Sequence, residues 1–297
     1  MRSRFFLADN PRAGYGSRRM VEAVLAALAC AGATVTRMTT ATEADAFAAM
    51  LQAVVSGRYD ALLVAGGDGT IRLGAKAALG TGIPIGVIPL GTGNVLAHEV
   101  GLPRSPDAIA RLLIEGEVRH VNAARANGEL FLLMAGVGFD GRIIAGLDLR
   151  LKQRLGKLAY AGPTLRALAQ PPDALAVAID GGVPVPAAWV VVANANRYAG
   201  AFVMAPHTSI DRPGLQVILF VGARSARIRQ LAALARGRIE AAASASGATV
   251  TMLPCRSVSI RAHQQPVPVQ LDGDAFGTTP LDIEASDVGV PMILPGR

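Results

Sequence analysis

Three times in the first third of the chain an apolar run ends in a glycine-rich turn: "RFFLADNPRAG" from residue 4, "LLVAGGDGT" from residue 62 and "IGVIPLGTGN" from residue 85. Between them lie segments with helical spacing, such as Met20, Val24, Ala27, Leu28 and Ala31 behind a Ser17 that can cap a helix. Strands alternating with helices predict a parallel sheet with helices on its faces. In such sheets ligands bind beyond the carboxyl ends of the strands, so the three loops are expected to gather at one edge.

The second loop carries the most chemistry. Gly66, Gly67 and Gly69 let backbone N–H groups face phosphate oxygens with no side chain in the way, and Thr70 adds a hydroxyl. A phosphate-binding P-loop has a lysine where this turn has Asp68. An acid beside polyphosphate is tolerable when it meets Mg2+ or a cationic partner, which points to a nucleotide held through backbone and metal. Alone, the turn is also compatible with being only a tight connection, the weaker of the two readings. The loop with Gly91, Thr92, Gly93 and Asn94 repeats the same chemistry one strand later.

After about residue 122 the pattern changes to strands separated by turn residues, including "AWVVVANANRYAG", "LQVILFVG", "SVSIRA" and "VPVQLDGD". "ELFLLMAGVGFDG" also reads as a strand. A largely antiparallel β domain is expected, interrupted by helices over residues 149–169 and from 226 to about 245.

Charge and composition narrow the partners. A net charge of +7 and a pI of about 10.1 permit nucleic acid. The arginines are scattered except in two clusters, 142–166 and 224–238, which are not interleaved with aromatics. No nucleic-acid partner is therefore expected, and an anionic membrane surface or a phosphate-bearing ligand fits the charge. Cys30 and Cys255 read as reduced, buried thiols, and no secretory signal opens the chain, so a cytoplasmic protein is expected. The uncharged stretch 77–97 is broken by glycines and prolines and predicts no membrane span. The four histidines have no metal-ligand spacing.

The strings "NPRAG", "AGGDGTI", "PLGTGNVLAHEVGLP", "GVGFDG", "LKQRLGKLAYAGPTLRAL", "NANRYAGAFVMAP" and "VQLDGD" occur in the order found in the diacylglycerol-kinase catalytic-domain family. The chain resembles that family, which includes sphingosine kinases and soluble bacterial lipid kinases, over nearly its whole length. GGDGT is shared with NAD kinases and phosphofructokinases, whereas "GKLAY" and the late "DGD" are more particular to the lipid kinases. The resemblance implies a phosphofructokinase/NAD-kinase-like α/β nucleotide-binding domain over 1–122, rejoined by residues 277–297, and a β-sandwich lipid-substrate domain over 123–276.

It further implies an ATP-dependent lipid kinase that uses Mg2+. ATP is expected at Asn10, Thr40, the loop from Gly66 to Thr70, and Thr92, with a lipid hydroxyl as acceptor. The acid ending the family's Asp-Gly-Glu triplet is its proposed general base. Here the triplet is Asp272-Gly273-Asp274, so the resemblance makes Asp274 the base, one methylene shorter, with Asp68 as the second catalytic acid. Asp-Gly is also a hairpin signal, and both readings can hold together.

The chain departs from the family in three further places. Arg72 and Leu73 replace an Asn-Glu pair, Val95 stands where many members have Asp, and Arg212 stands where an Asp helps hold a structural Mg2+ in some bacterial members. Asp211 is the one remaining candidate ligand, and that structural metal is expected to be absent or altered. In the basic segment, Leu151, Leu155, Leu158, Ala159, Leu165 and Leu168 form an apolar stripe beside Arg150, Lys152, Arg154 and Lys157. The stripe reads either as core or as a docking face for an anionic membrane. An edge-to-edge homodimer through the β domain is compatible with the pattern. The competing functions are an NAD kinase and a catalytically weak lipid-binding regulatory protein of the same fold.

Overall fold

The alternation at the start of the chain builds β1 (Arg4–Asp9), α1 (Tyr15–Cys30), β2 (Thr34–Thr39), α2 (Glu43–Val55), β3 (Ala61–Gly66), α3 (Asp68–Ala78) and β4 (Ile85–Pro89). The short α4 (Val95–Val100), α5 (Pro106–Glu115) and β5 (Glu117–Val121) follow. The structure is a computed structural model that describes residues 1–9, 15–91, 93–200, 202–239, 243 and 249–296. It divides into two units, Met1–Val121 with Val288–Arg297, and Asn122–Asp287.

In the first unit a six-stranded sheet runs β2-β1-β3-β4, then the last strand of the chain, Val290–Leu294, then β5. The strands β1 to β4 are mutually parallel, with Asp9 level with Thr39 and Gly66 level with Pro89, so their carboxyl ends share one edge. β3, "ALLVAG", is central and almost continuously apolar, as a strand covered on both faces must be. At the sheet edge β2, "TVTRMT", is largely exposed and alternates polar residues. Phe5, Leu7, Val24, Leu28, Leu63 and Leu113 belong to the core that joins strands to helices. Thr42 and Asp45 close a capping box at the start of α2.

The second unit begins with β6 (Ala124–Ala126), β7 (Glu129–Phe131), β8 (Met134–Val137) and α6 (Phe139–Ala145). The expected strand through "GVGFDG" therefore ends early: Gly138, at φ +88°, turns the chain and α6 begins. The helix expected over 149–169 is also broken. Gly156, at φ +58°, ends α7 (Leu149–Leu155), and a 3-10 turn (Gly156–Tyr160) leads into α8 (Ala161–Ala169).

Next come β9 (Leu175–Ile179), β10 (Val185–Ala187), β11 (Trp189–Ala193), β12 (Arg197–Tyr198), β13 (Phe202–Val203), β14 (Leu215–Phe220) and α9 (Arg224–Ala235). The chain continues through β15 (Val250–Cys255), β16 (Ser257–Ala262), β17 (Pro268–Leu271), β18 (Asp274–Thr278) and β19 (Leu281–Ala285) before the final β20 (Val290–Leu294). Two antiparallel six-stranded sheets, β10-β9-β16-β19-β6-β7 and β15-β14-β11-β8-β17-β18, share one apolar core. Phe131, Val177 and Ile260 enter it from the first sheet, and Val190, Val217 and Leu271 from the second. Trp189 stacks on Phe220 with ring centroids 3.7 Å apart.

Two expectations change here. The return to the first unit comes at Val288, later than residue 277, because β19 pairs with β16 and β6 inside the sandwich. Cys255 is buried, which pushes its thiol up to about 12, but Cys30 is exposed at the end of α1.

Candidate active site

The two glycine loops of the first unit meet backbone to backbone. A Cβ on Gly91 would stand 2.7 Å from the Gly67 Cα, and one on Gly67 would stand 3.3 Å from the Gly91 Cα. Only glycines allow this approach. The Leu90 N–H donates to the Gly66 carbonyl at 2.9 Å, which fixes the loops in register. Thr70 lies over Gly66, where a Cβ would meet its side chain at 2.5 Å.

Asp68 ties the loops together. Its carboxylate accepts from the Val95 N–H at 3.0 Å and from the Leu96 N–H at 3.1 Å, capping the start of α4. The acid that replaces a P-loop lysine thus has a structural task, holding the second loop through its helix. Asn94 itself sits in the left-handed region at φ 44° and offers no side-chain cap. Its Oδ1 is buried with no hydrogen-bond partner.

Gly67 caps α3 with no side chain, and Asp68, Gly69 and Thr70 form that helix's first turn. An uncapped helix start at the end of a central parallel strand suits an anion. Thr40 is buried just past β2, at the same sheet edge. Gly93 completes the second loop and has room for a Cβ, 3.7 Å from Asp68 Oδ2. The expected contacts Asn10 and Thr92 lie outside the described residues.

In the second unit the Asp272-Gly273 pair makes the β17–β18 hairpin turn, with φ of 51° and 87°. Two successive positive φ values define the tight turn that Asp-Gly favours. Asp272 is buried, and its carboxylate accepts from the N–H groups of Leu132 (2.9 Å), Leu133 (2.8 Å) and Met134 (3.0 Å). It therefore anchors the turn to the segment joining β7 and β8. Asp274 is the first residue of β18, half-buried and opposite Leu271.

Residues not singled out in the sequence complete this region. Asn194 donates through Nδ2 to the carbonyls of Asn122 (2.9 Å) and Leu132 (2.7 Å). Asp140 of α6 accepts from the Tyr198 hydroxyl at 2.6 Å. Burial pushes its carboxyl up to about 6, against the Tyr198 hydrogen bond and the nearby polar groups of Trp189 and Gln270, which favour the charged form. Burial and the neighbouring Asp140 also raise the Tyr198 phenol. The available signal was one acid in the glycine-rich, apolar "GVGFDG", but nothing local identifies its partners.

Asp211 lies in the turn before β14, where its N–H donates to Ser209 Oγ at 3.3 Å. Arg212 lines a groove of about 430 Å³ with His207, Arg256 and Asp180. Two arginines there do not suit a divalent cation. Among the described residues no group of three or more His, Cys, Asp or Glu is placed to hold a metal. Leu158 (74% exposed) and Leu165 (67%) project from the helical segment 149–169 with Leu151 and Leu155, while Ala159 is buried. No described helix is long and apolar enough to cross a membrane.

Comparison with known proteins places both units. A family model described as the diacylglycerol kinase catalytic domain matches residues 4–126, and one described as the YegS C-terminal NAD kinase β-sandwich-like domain matches 134–294. A "Diacylglycerol kinase" of Mycobacterium tuberculosis is 29% identical over 208 residues, covering 67% of each chain. A "Probable lipid kinase YegS-like" of Pseudomonas aeruginosa is 37% identical over 142 residues, covering 47% of this chain and 46% of its own. An uncharacterized protein of Synechocystis is 27% identical over 80% of this chain and 56% of its own, so the chain spans about half the length of these last two relatives. Among solved structures, a diacylglycerol kinase from Bacillus anthracis superposes with a TM-score of 0.71 at 19% identity, covering 99% of this chain and 97% of its own. Yeast NADH kinase, complexed with NADH, shares the fold at a TM-score of 0.56 and 13% identity, over 100% of this chain and 84% of its own. With both of its units matched by the two domain models, the chain belongs to the diacylglycerol kinase catalytic-domain family, of the kind that carries a YegS-type β-sandwich.

Proposed function

We propose that the chain is an ATP-dependent lipid kinase, which moves the γ-phosphate of Mg-ATP to the hydroxyl of a diacylglycerol-like or sphingoid-like lipid. The observation that carries this reading is the glycine pair Gly67 and Gly91, whose backbone contact a Cβ would fill, locked by Asp68 beside an uncapped helix start. This cradle and the unpartnered Asn94 Oδ1 fit a polyphosphate nucleotide with its mixed acceptors and donors.

Phosphoryl transfer depends mainly on positioning and charge neutralisation. In this reading the α3 start and the glycine loops bind phosphate oxygens through backbone N–H groups, and Asp68 keeps the second loop in place. Mg2+ bound with the nucleotide would neutralise phosphate charge. The lipid hydroxyl oxygen bonds to the γ-phosphorus as the bond to the bridging oxygen of ADP breaks, and the hydroxyl proton passes to the Asp274 carboxylate. In the same reading the structural Mg2+ at the Asp211 turn is absent or altered, since Arg212 occupies the place of an acid. Exposed Leu151, Leu155, Leu158 and Leu165, with the cations around them, rest on an anionic membrane surface and bring the enzyme to its substrate.

The test is transfer of labelled γ-phosphate from Mg-ATP to a mixed-micelle panel of lipids, with NAD in parallel and Asp274→Ala as control. Labelled lipid that disappears in the variant supports the reading and names the substrate class. Labelled NADP would replace it with an NAD kinase. ATP binding without transfer to any acceptor would leave a regulatory protein of this fold.

A further inference from the structure

Asp140 lies at the centre of a buried polar group that the transfer chemistry above does not use. One of its carboxylate oxygens, Oδ1, takes the Tyr198 hydroxyl at 2.6 Å, and the other, Oδ2, is buried with no hydrogen-bond partner. Gln270 of β17 faces that second oxygen. A Cβ on Gly136 would stand 2.5 Å from Asp140 Oδ2 and 2.7 Å from Gln270 Nε2, so both side chains converge over a residue that must lack one. At the other end of the same amide, Gln270 Oε1 accepts from the Gly273 N–H at 2.7 Å, inside the turn that leads into Asp274. Both Asp140 and Gln270 are buried, and Gly141 lets β17 pass close by, since a Cβ there would meet the Pro268 carbonyl oxygen at 2.0 Å.

We propose that Asp140 is a positioning residue for Asp274, acting through the Gln270 amide, which faces the Asp140 carboxylate with its nitrogen and holds the Gly273 N–H with its oxygen. The inference rests on the reading of Asp274 as the base. An amide has one donor end and one acceptor end, so what faces one end decides what is left at the other. An ionised Asp140 only accepts, which keeps Nε2 toward it and leaves Oε1 for Gly273. A protonated Asp140 carries an O–H that competes with Gly273 for Oε1, and if the amide turns to accept it, Gly273 faces an NH2 group, donor against donor.

Burial raises the Asp140 carboxyl to about 6, so the choice falls within a working pH range. Tyr198 is the titratable group that touches Asp140, and Tyr160 in turn acts on Tyr198. Of the elements packed on α6, β8 and β17 carry no titratable side chain, α8 carries Arg166 and β18 carries Asp274. On α6 itself Arg142 is bonded to Asp173 and Gln170.

Two variants of the full chain test the coupling. Asp140→Asn keeps the shape and removes the titration, and Gln270→Met keeps the length and removes the amide. Each is expected to lower kcat for lipid phosphorylation by roughly ten- to a hundredfold, the scale of a misplaced catalytic group, with KM for ATP unchanged. The double variant should be no worse than the poorer single one. Wild-type kcat should fall as pH drops through about 6, and Asp140→Asn should lose that limb. The Gly273 amide nitrogen resonance, which needs no activity, should shift through the same pH in the wild type and stay still in Asp140→Asn. A Gly273 resonance that does not titrate, or penalties that add in the double variant, would overturn the proposal. A titrating Gly273 in a chain that transfers no phosphate to lipid would keep the coupling and remove the kinase reading instead.

Discussion

Asp140 binds its proton more tightly in the folded chain than in an unfolded one, about 6 against 3.8. Its contribution to stability is therefore full below 3.8 and is lost as pH rises through about 6, a difference on the order of 3 kcal/mol. Asp140→Asn should then resist urea better than the wild type well above pH 6, with the gap closing toward 3.8, even as it loses activity. Asp274→Asn should lower kcat by about 10²- to 10⁴-fold with ATP affinity unchanged, and Asp274→Glu should keep transfer, measured by labelled phosphate. The Asp272-Gly273 turn was legible from two letters because Asp-Gly favours positive φ wherever it occurs. The work of the Asp272 carboxylate was not, because its three N–H partners lie 138 to 140 residues away. Asp68 is similar: its place in the loop can be read, but its hold on Val95 and Leu96, 27 and 28 residues on, comes from the fold.

Glycines decide how the elements meet. Gly91→Ala would push a methyl to 2.7 Å from the Gly67 Cα and should weaken ATP binding by more than about tenfold as the loops part. Gly93→Ala, with its nearest neighbour at 3.7 Å, should leave the thermal midpoint nearly unchanged where Gly91→Ala lowers it. In the sandwich, Gly141→Ala meets the Pro268 carbonyl and should destabilise the second unit by about 1–3 kcal/mol, read from urea midpoints. The strand and helix alternation of the first unit was legible because buried parallel strands and amphipathic helices have different periods. The start of α6 and the break at Gly156 were not. Apolar runs carry no mark of where a positive-φ glycine redirects the chain, and Gly138 and Gly156 look like any others.

At the scale of the molecule, the leucines of the segment 149–169 are its most testable surface. Leu158→Glu combined with Leu165→Glu should abolish sedimentation with anionic vesicles while leaving the fold intact by circular dichroism, because both side chains are already exposed. The division into two units was legible in outline, from the change of pattern near residue 122. The later limit was set too early: β19, the alternating LDIEA, pairs inside the sandwich with β16 and β6, and only the apolar β20, VPMIL, returns to the first sheet.

That pairing also bears on how the chain assembles. Val290–Leu294 sits between β4 and β5, with Ile293 in the same core as Phe5 and Leu63. On a ribosome, β4 and β5 must wait for their neighbour through the whole synthesis of residues 122–287, which can close both of their own sheets first. The first unit is thus the last to mature, so an interrupted product lacks the completed sheet beneath the glycine loops.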